Sequence, residues 1–256
     1  MKPSRIAILA STLAAAPAFA PAFAQTPPAP AAPKWTGEGA LSAGYTTGNT
    51  QTTDGGLAVK AKHVGGLWTQ AGDFSADYGE TDGIESKNRL AASGQVGRVF
   101  SNTWNGYTRL TWERDQFSGF DNRYFAGLGL SYKAWDTKQT AWTLEGGPGY
   151  KVDEVRAAAA TATTPATPAR TEHDFGARAG SNFRYAFNDK VALTDTSEVV
   201  YSDTSTQLSN GLALTAGLMG NLSARISLDV RHDTRPPEGF KATDTSTRFS
   251  LVYKVD

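Results

Sequence analysis

From Trp35 onward the chain alternates between apolar or small residues and polar ones with a period of two. Trp35, Gly37, Gly39, Leu41, Ala43 and Tyr45 fall on one face, and Thr36, Glu38, Ala40, Ser42, Gly44 and Thr46 on the other. The same pattern returns at Trp104 to Glu113, at Phe175 to Phe187, at Ala224 to Arg231 and at Phe249 to Val255. Successive side chains of a strand point to opposite faces, so sustained alternation is a strand signal, and no window offers a competing helical stripe. The runs predict about twelve strands, over residues 35–46, 52–64, 67–79, 85–100, 103–116, 122–135, 139–153, 172–187, 190–203, 208–221, 223–234 and 244–255.

The punctuation of the chain agrees with this reading. Pro148 is the one proline inside a predicted strand, in a Gly-Gly-Pro-Gly setting that suits a bulge or bend. Connections after even-numbered strands are tight, as at Gly65-Gly66, Ser101-Asn102 and Asn188-Asp189. Those after odd-numbered strands are longer and more polar, as at Gly79–Ser86, Asp115–Arg123, Asp153–Glu172 and Asp233–Thr243. The Ala/Thr/Pro tract at 157–170 reads as a flexible loop on that long-loop rim, on the extracellular side. Short turns at one rim and long loops at the other are the asymmetry of an all-β, antiparallel, up-and-down transmembrane β-barrel.

Aromatic placement gives an independent argument. Trp35, Trp68, Trp104, Trp135 and Trp142 gather at the short-turn rim, while Trp112 lies toward the other, near which Tyr45, Tyr78, Tyr124, Tyr150 and Tyr201 also fall. Two aromatic girdles around an apolar band are what a bilayer favours, because amphipathic rings prefer its interfaces. The alternative architecture is a soluble periplasmic β-protein. Several strands exceed the 9–11 or so residues that a tilted membrane strand needs, so the barrel is expected to project beyond the bilayer.

Residues 1–24 read as a signal peptide: Lys2 and Arg5, the apolar stretch Ile6–Ala16, then Ala22-Phe23-Ala24 at the cleavage site. Residues 25–34 (QTPPAPAAPK) form a Pro/Ala-rich linker, leaving 35–256 for the barrel. The formal charge is zero, and losing Lys2 and Arg5 makes it slightly acidic, which argues against nucleic acid as a partner. With no cysteine there is neither a disulfide scaffold nor a thiolate metal site.

Several motifs carry a family resemblance. They are Thr47-Gly48-Asn49-Thr50; Glu113-Arg114-Asp115-Gln116-Phe117 with Gly119, Asp121 and Arg123; Gly127-Leu128-Gly129-Leu130-Ser131-Tyr132; and Glu145-Gly146-Gly147-Pro148-Gly149-Tyr150. In this order they resemble the YdiY-like family of salt-induced outer membrane proteins, a family of unknown function. The resemblance covers most of 35–256 and implies an outer-membrane barrel of Gram-negative bacteria, without naming a substrate or a catalytic residue. The insertion at 157–170 departs from the pattern.

The polar face of each strand is expected to line the lumen. That places Lys60, Lys62, Arg109, Glu113, Arg123, Lys133, Glu145, Arg178, Arg184, Glu198, Arg225, Asp229, Arg231 and Arg248 inside, with basic residues in excess. Two readings follow: a lumen that favours small anionic solutes, or one filled by its own salt bridges. Asp115 and Asp121, beside Glu113 and Arg123, mark the outer-mouth loop, either as a ligand site or as a loop pinned by ion pairs. Of the three histidines, His173 and His232 lie near the long-loop rim and raise the alternative of a rim hydrolase; no nucleophile accompanies them. Asp195 is anomalous, since it shares a face with Val191, Leu193 and Val199, and a bulge near Thr194–Ser197 would relieve it. The expectation is therefore a monomeric, non-enzymatic outer-membrane barrel without cofactor or metal. Its partners would be membrane lipid, lipopolysaccharide and the barrel assembly machinery. Its role would be envelope structure or solute passage.

Overall fold

A computed structural model describes residues 31–46, 52–160 and 166–255. Among these, twelve antiparallel strands close into a barrel, each paired with its sequence neighbours and β1 with β12. They are β1 Ala31–Thr46, β2 Thr52–Gly66, β3 Trp68–Thr81, β4 Ile84–Val99, β5 Trp104–Asp115 and β6 Phe120–Asp136. The second half comprises β7 Thr140–Val155, β8 Arg170–Ala186, β9 Val191–Ser202, β10 Thr206–Met219, β11 Leu222–Asp233 and β12 Thr243–Val255. Closure runs from Gly37↔Val255 to Ser42↔Ser250, so no edge strand remains to recruit another chain.

The wall is inverted relative to a soluble protein. Leu41, Leu110, Leu128, Phe175, Phe249 and Leu251 are exposed on the outer surface, while buried Asp77, Lys151, Asp153 and Arg178 face the interior. Trp104 lies on Tyr132, and Trp135 stacks on Trp142 at 5.0 Å, on the outer surface at the short-turn rim. Tyr78, Tyr124, Tyr150 and Tyr201 are exposed toward the other rim.

Several boundaries differ from expectation. β1 begins at Ala31, so residues 31–34 are strand rather than linker, and Pro33 falls in the register shift between Ala31 and Lys34. Residues 1–24, 25–30 and 47–50 lie outside the described residues. The loop expected over Gly79–Ser86 is a two-residue hairpin: Asp82 (φ 52°) and Gly83 (φ 76°) both take the left-handed region, so the strands run on to Thr81 and from Ile84. The connection expected over Asp115–Arg123 shortens in the same way to residues 116–119. Arg170 opens β8, and Ala158 pairs with Thr167 within the insertion.

Pro148 does not create a bulge, because β7 keeps one register along β8. On its other side β6 and β7 approach unusually closely, where a Cβ at Gly147 would collide with the Leu128 carbonyl and the Gly129 backbone. Glycine is needed there for space. Nor is there a bulge at Thr194–Ser197, since β9 pairs without a shift to both β8 and β10.

Candidate functional site: a charged lumen tied across its width

Lys60, Lys62, Arg109, Glu113, Arg123, Glu198, Arg225, Asp229, Arg231 and Arg248 line the interior space. The interior charges form chains of ion pairs between neighbouring strands, and Arg231–Glu113, Arg123–Asp233 and Arg248–Asp77 carry those chains between strands that are not neighbours. Arg231 on β11 forms an ion pair with Glu113 on β5, and Glu113 also accepts a hydrogen bond from Arg89 on β4 at 2.7 Å. Arg89 continues to Asp77 at 3.6 Å, and Asp77 to Arg248 at 2.7 Å, which then reaches Asp229. A second group joins Arg123 to Asp153 (3.2 Å) and to Asp233 (2.7 Å). Beside it, Lys151 pairs with Asp153 and donates to the Ser205 hydroxyl, both at 2.7 Å. Lower in the barrel, Arg178 bridges Glu145 (2.8 Å) and Glu198 (2.7 Å) and donates to the Tyr107 hydroxyl. Charges withdrawn from water are tolerated only when their partners are in place, and here each of these finds at least one.

Two loops close over the ties at the long-loop rim. Gly119, with φ 78°, abuts Phe240 and Pro237: a Cβ there would stand 2.7 Å from the Phe240 ring. The connection at 116–119 thus meets the one at 234–242 from the opposite wall. Buried Phe120 lies under Arg123, whose guanidinium carbon is 3.9 Å from the ring centre. Arg156 clamps the nearer loop, pairing with Asp121 at 2.8 Å and donating to the carbonyls of Gln116 and Phe120.

Below this cap the interior opens into a cavity of about 760 Å³, lined by Arg109, Arg225, Glu38 and Lys60 among others. A second cavity of about 350 Å³ adjoins it at the short-turn rim, with Lys60, Glu38 and Asp73 lining both.

Glu113 and Asp115 share Arg231, but the four residues Glu113, Asp115, Asp121 and Arg123 do not converge on one site. Glu113 and Arg123 are directly opposite in register, but their side chains turn to Arg231 and Asp233 respectively, Asp115 lies 3.7 Å from Arg231, and Asp121 engages Arg156. Lys133 pairs with Asp136 at the short-turn rim, and Arg184 is exposed; neither lines either cavity. His173 and His232 are not brought together. Both point outward with β9 and β10 between them; His173 stacks on Tyr150 and His232 bonds to Thr243. Sequence reasoning missed Arg89, Asp77, Lys151, Asp153 and Asp233, although simple alternation continued from Glu145 past Pro148 reaches both Lys151 and Asp153.

This is the fold of an outer-membrane β-barrel, porin-like in form. Residues 39–255 match the family described as "Protein of unknown function, DUF481", and the chain belongs to that family. No curated protein matches it. Among solved structures, the NanC porin is 13% identical with a TM-score of 0.50, covering 87% of this chain and 100% of its own. The translocator domain of autotransporter NalP from Neisseria meningitidis is also 13% identical, with a TM-score of 0.49 and coverage of 87% and 88%.

Proposed function

We propose that this chain is a non-enzymatic outer-membrane barrel that passes small solutes through a lumen closed, in the conformation described, at its long-loop mouth. The supporting observation is the nature of the interior. A barrel serving only as a wall element could fill its lumen with apolar side chains, whereas this one encloses a charged cavity of about 760 Å³. What closes it is side-chain ion pairs and two loop tips, which can separate without unfolding a strand. The girdled apolar exterior supports insertion in a bilayer, with the short turns periplasmic and lipid and lipopolysaccharide as the surroundings. The motifs shared with the YdiY-like proteins are consistent with an outer-membrane location. The two rim histidines face outward with two strands between them and do not form one site, which favours the channel over a hydrolytic reading.

The test is conductance of the refolded protein in a planar bilayer, with heat-modifiable gel mobility confirming the barrel. Wild type is expected to open rarely, and the Glu113→Gln/Arg231→Gln double variant to open often. A folded double variant that stays silent would make the barrel a closed structural element. Recovery of the chain in the periplasmic fraction without detergent would overturn the membrane assignment.

A further inference from the structure

The lumen's charges are divided by height. Around the mouth, Arg89, Arg123, Lys151, Arg231 and Arg248 are matched by Glu113, Asp77, Asp153, Asp229 and Asp233. The cavity at the short-turn rim is different. Lys60 and Lys62 enter it from β2 and Lys254 from β12, all three solvent-exposed and none in a direct ion pair among the described residues.

The carboxylates nearby are already engaged. Glu38 lies between Lys60 and Lys254 in register, but both of its oxygens accept from Arg225, at 2.9 and 3.0 Å. Asp73, opposite Lys60, accepts from Ser93 at 2.6 Å. Lys60 and Lys254 stand two strands apart, about 10 Å between backbones, and lysine stems of about 6 Å let their ammonium groups converge over Glu38. Arg109, farther up the same lumen, adds another cation outside any ion pair among the described residues: it donates to Gln95 at 3.3 Å, and its buried Nε finds no partner among them.

We propose that the 350 Å³ cavity is a binding site for a small multivalent oxyanion, a phosphorylated or polycarboxylated solute, held by Lys60, Lys62 and Lys254. The site deepens the channel reading, from which it takes its purpose: it concentrates anionic solute at the short-turn mouth, while Arg109 offers the next cation along the path. Free ammonium groups on flexible stems suit an anion that must also leave, as conduction requires.

Calorimetric titration of the refolded barrel in micelles at low salt, with pyrophosphate and separately with citrate, tests this. Wild type should bind at least one of them, and which one identifies the phosphate or the carboxylate class. Lys60→Gln/Lys254→Gln should weaken binding about tenfold or more, while Lys133→Gln, on the rim outside the cavity, leaves it unchanged. Pyrophosphate or citrate should also protect Lys60, Lys62 and Lys254 of wild type from amine acylation, read by mass spectrometry without any variant. Equal loss in the Lys133 control, no loss in the double variant, or no protection would each overturn the site. Because binding is read without current, a barrel that binds but never opens refutes the channel alone, and one that conducts but binds neither anion refutes the site alone.

Discussion

Glu113 on β5 and Arg231 on β11 hold each other across the full width of the barrel, on strands six places apart in a ring of twelve. The closed ring of strands sets the distance between these walls, and among the described residues what bridges them at the mouth is side chains. Arg89 shares the same carboxylate, and losing Glu113 alone would leave two guanidinium groups facing each other. Glu113→Gln should therefore destabilise the barrel by about 1–3 kcal/mol, an amount reduced from the fully buried case because Arg231 keeps access to water. The double variant with Arg231→Gln should recover part of that loss. Denaturant unfolding in detergent, run as a double-mutant cycle, checks it; strictly additive losses would show that the pair is not coupled.

The loop tips make a second prediction. Phe240 on one tip packs against Gly119 on the other. Phe240→Ala should release the 234–242 connection, making the bond after Lys241 more sensitive to trypsin while the unfolding midpoint hardly moves. Gly119→Ala should do the same by two routes: a Cβ collides with Phe240, and the left-handed backbone costs a further ~1 kcal/mol. Unchanged cleavage in both variants would mean the tips do not hold each other closed.

The barrel was legible in the sequence because each part of its signal is local. Trp104 to Glu113 shows its two faces without reference to any other strand, and every tryptophan but Trp112 marks one rim by position alone. The hairpin at Asp82-Gly83 was hidden because its polar flanks, Glu80, Thr81 and Glu85, look like a loop until the turn's backbone is known. The ties were hidden for a different reason. Alternation says that Glu113 and Arg231 face inward, but it carries no information about which of many inward charges sit at the same height. That depends on the stagger accumulated around the ring. Hence Arg123 beside Glu113 in register suggests a local pair, whereas each turns away from the other, to a neighbour on its far side (Asp153 and Arg89) and to a partner on β11 (Asp233 and Arg231).

Gly147 provides a third test. Its α-hydrogens face the Leu128 carbonyl and the Gly129 backbone, so even one methyl group would push β6 and β7 apart. Gly147→Ala should cost about 3 kcal/mol or prevent the heat-modifiable form from appearing, whereas Ala at Gly94, where the space is open, should be nearly neutral. Equal behaviour of the two would remove the close approach as the reason for glycine here.

Asp195 yields the last prediction. It faces outward with no bulge to turn it aside, opposite Leu212 on β10 and Phe183 on β8. Tyr201 lies six residues further along β9, about 15 Å toward the long-loop rim for a tilted strand, so within the proposed bilayer Asp195 sits well inside the hydrocarbon. It does not stand alone there. Asn210 donates to one carboxylate oxygen at 2.8 Å, Ser197 donates to the other at 3.0 Å, and Asn210 also donates to Ser197. Replacing Asn210 by leucine makes the surface more apolar yet strips the carboxylate of a charge-assisted bond, so Asn210→Leu should destabilise by about 1–3 kcal/mol. Asp195→Leu/Asn210→Leu removes donor and acceptor together and should be at least as stable as wild type, since lipid then meets only hydrocarbon. Refolding equilibria in lipid vesicles decide between them. If Asn210→Leu alone is stabilising, the hydrogen bonds are not what makes a carboxylate tolerable on this face.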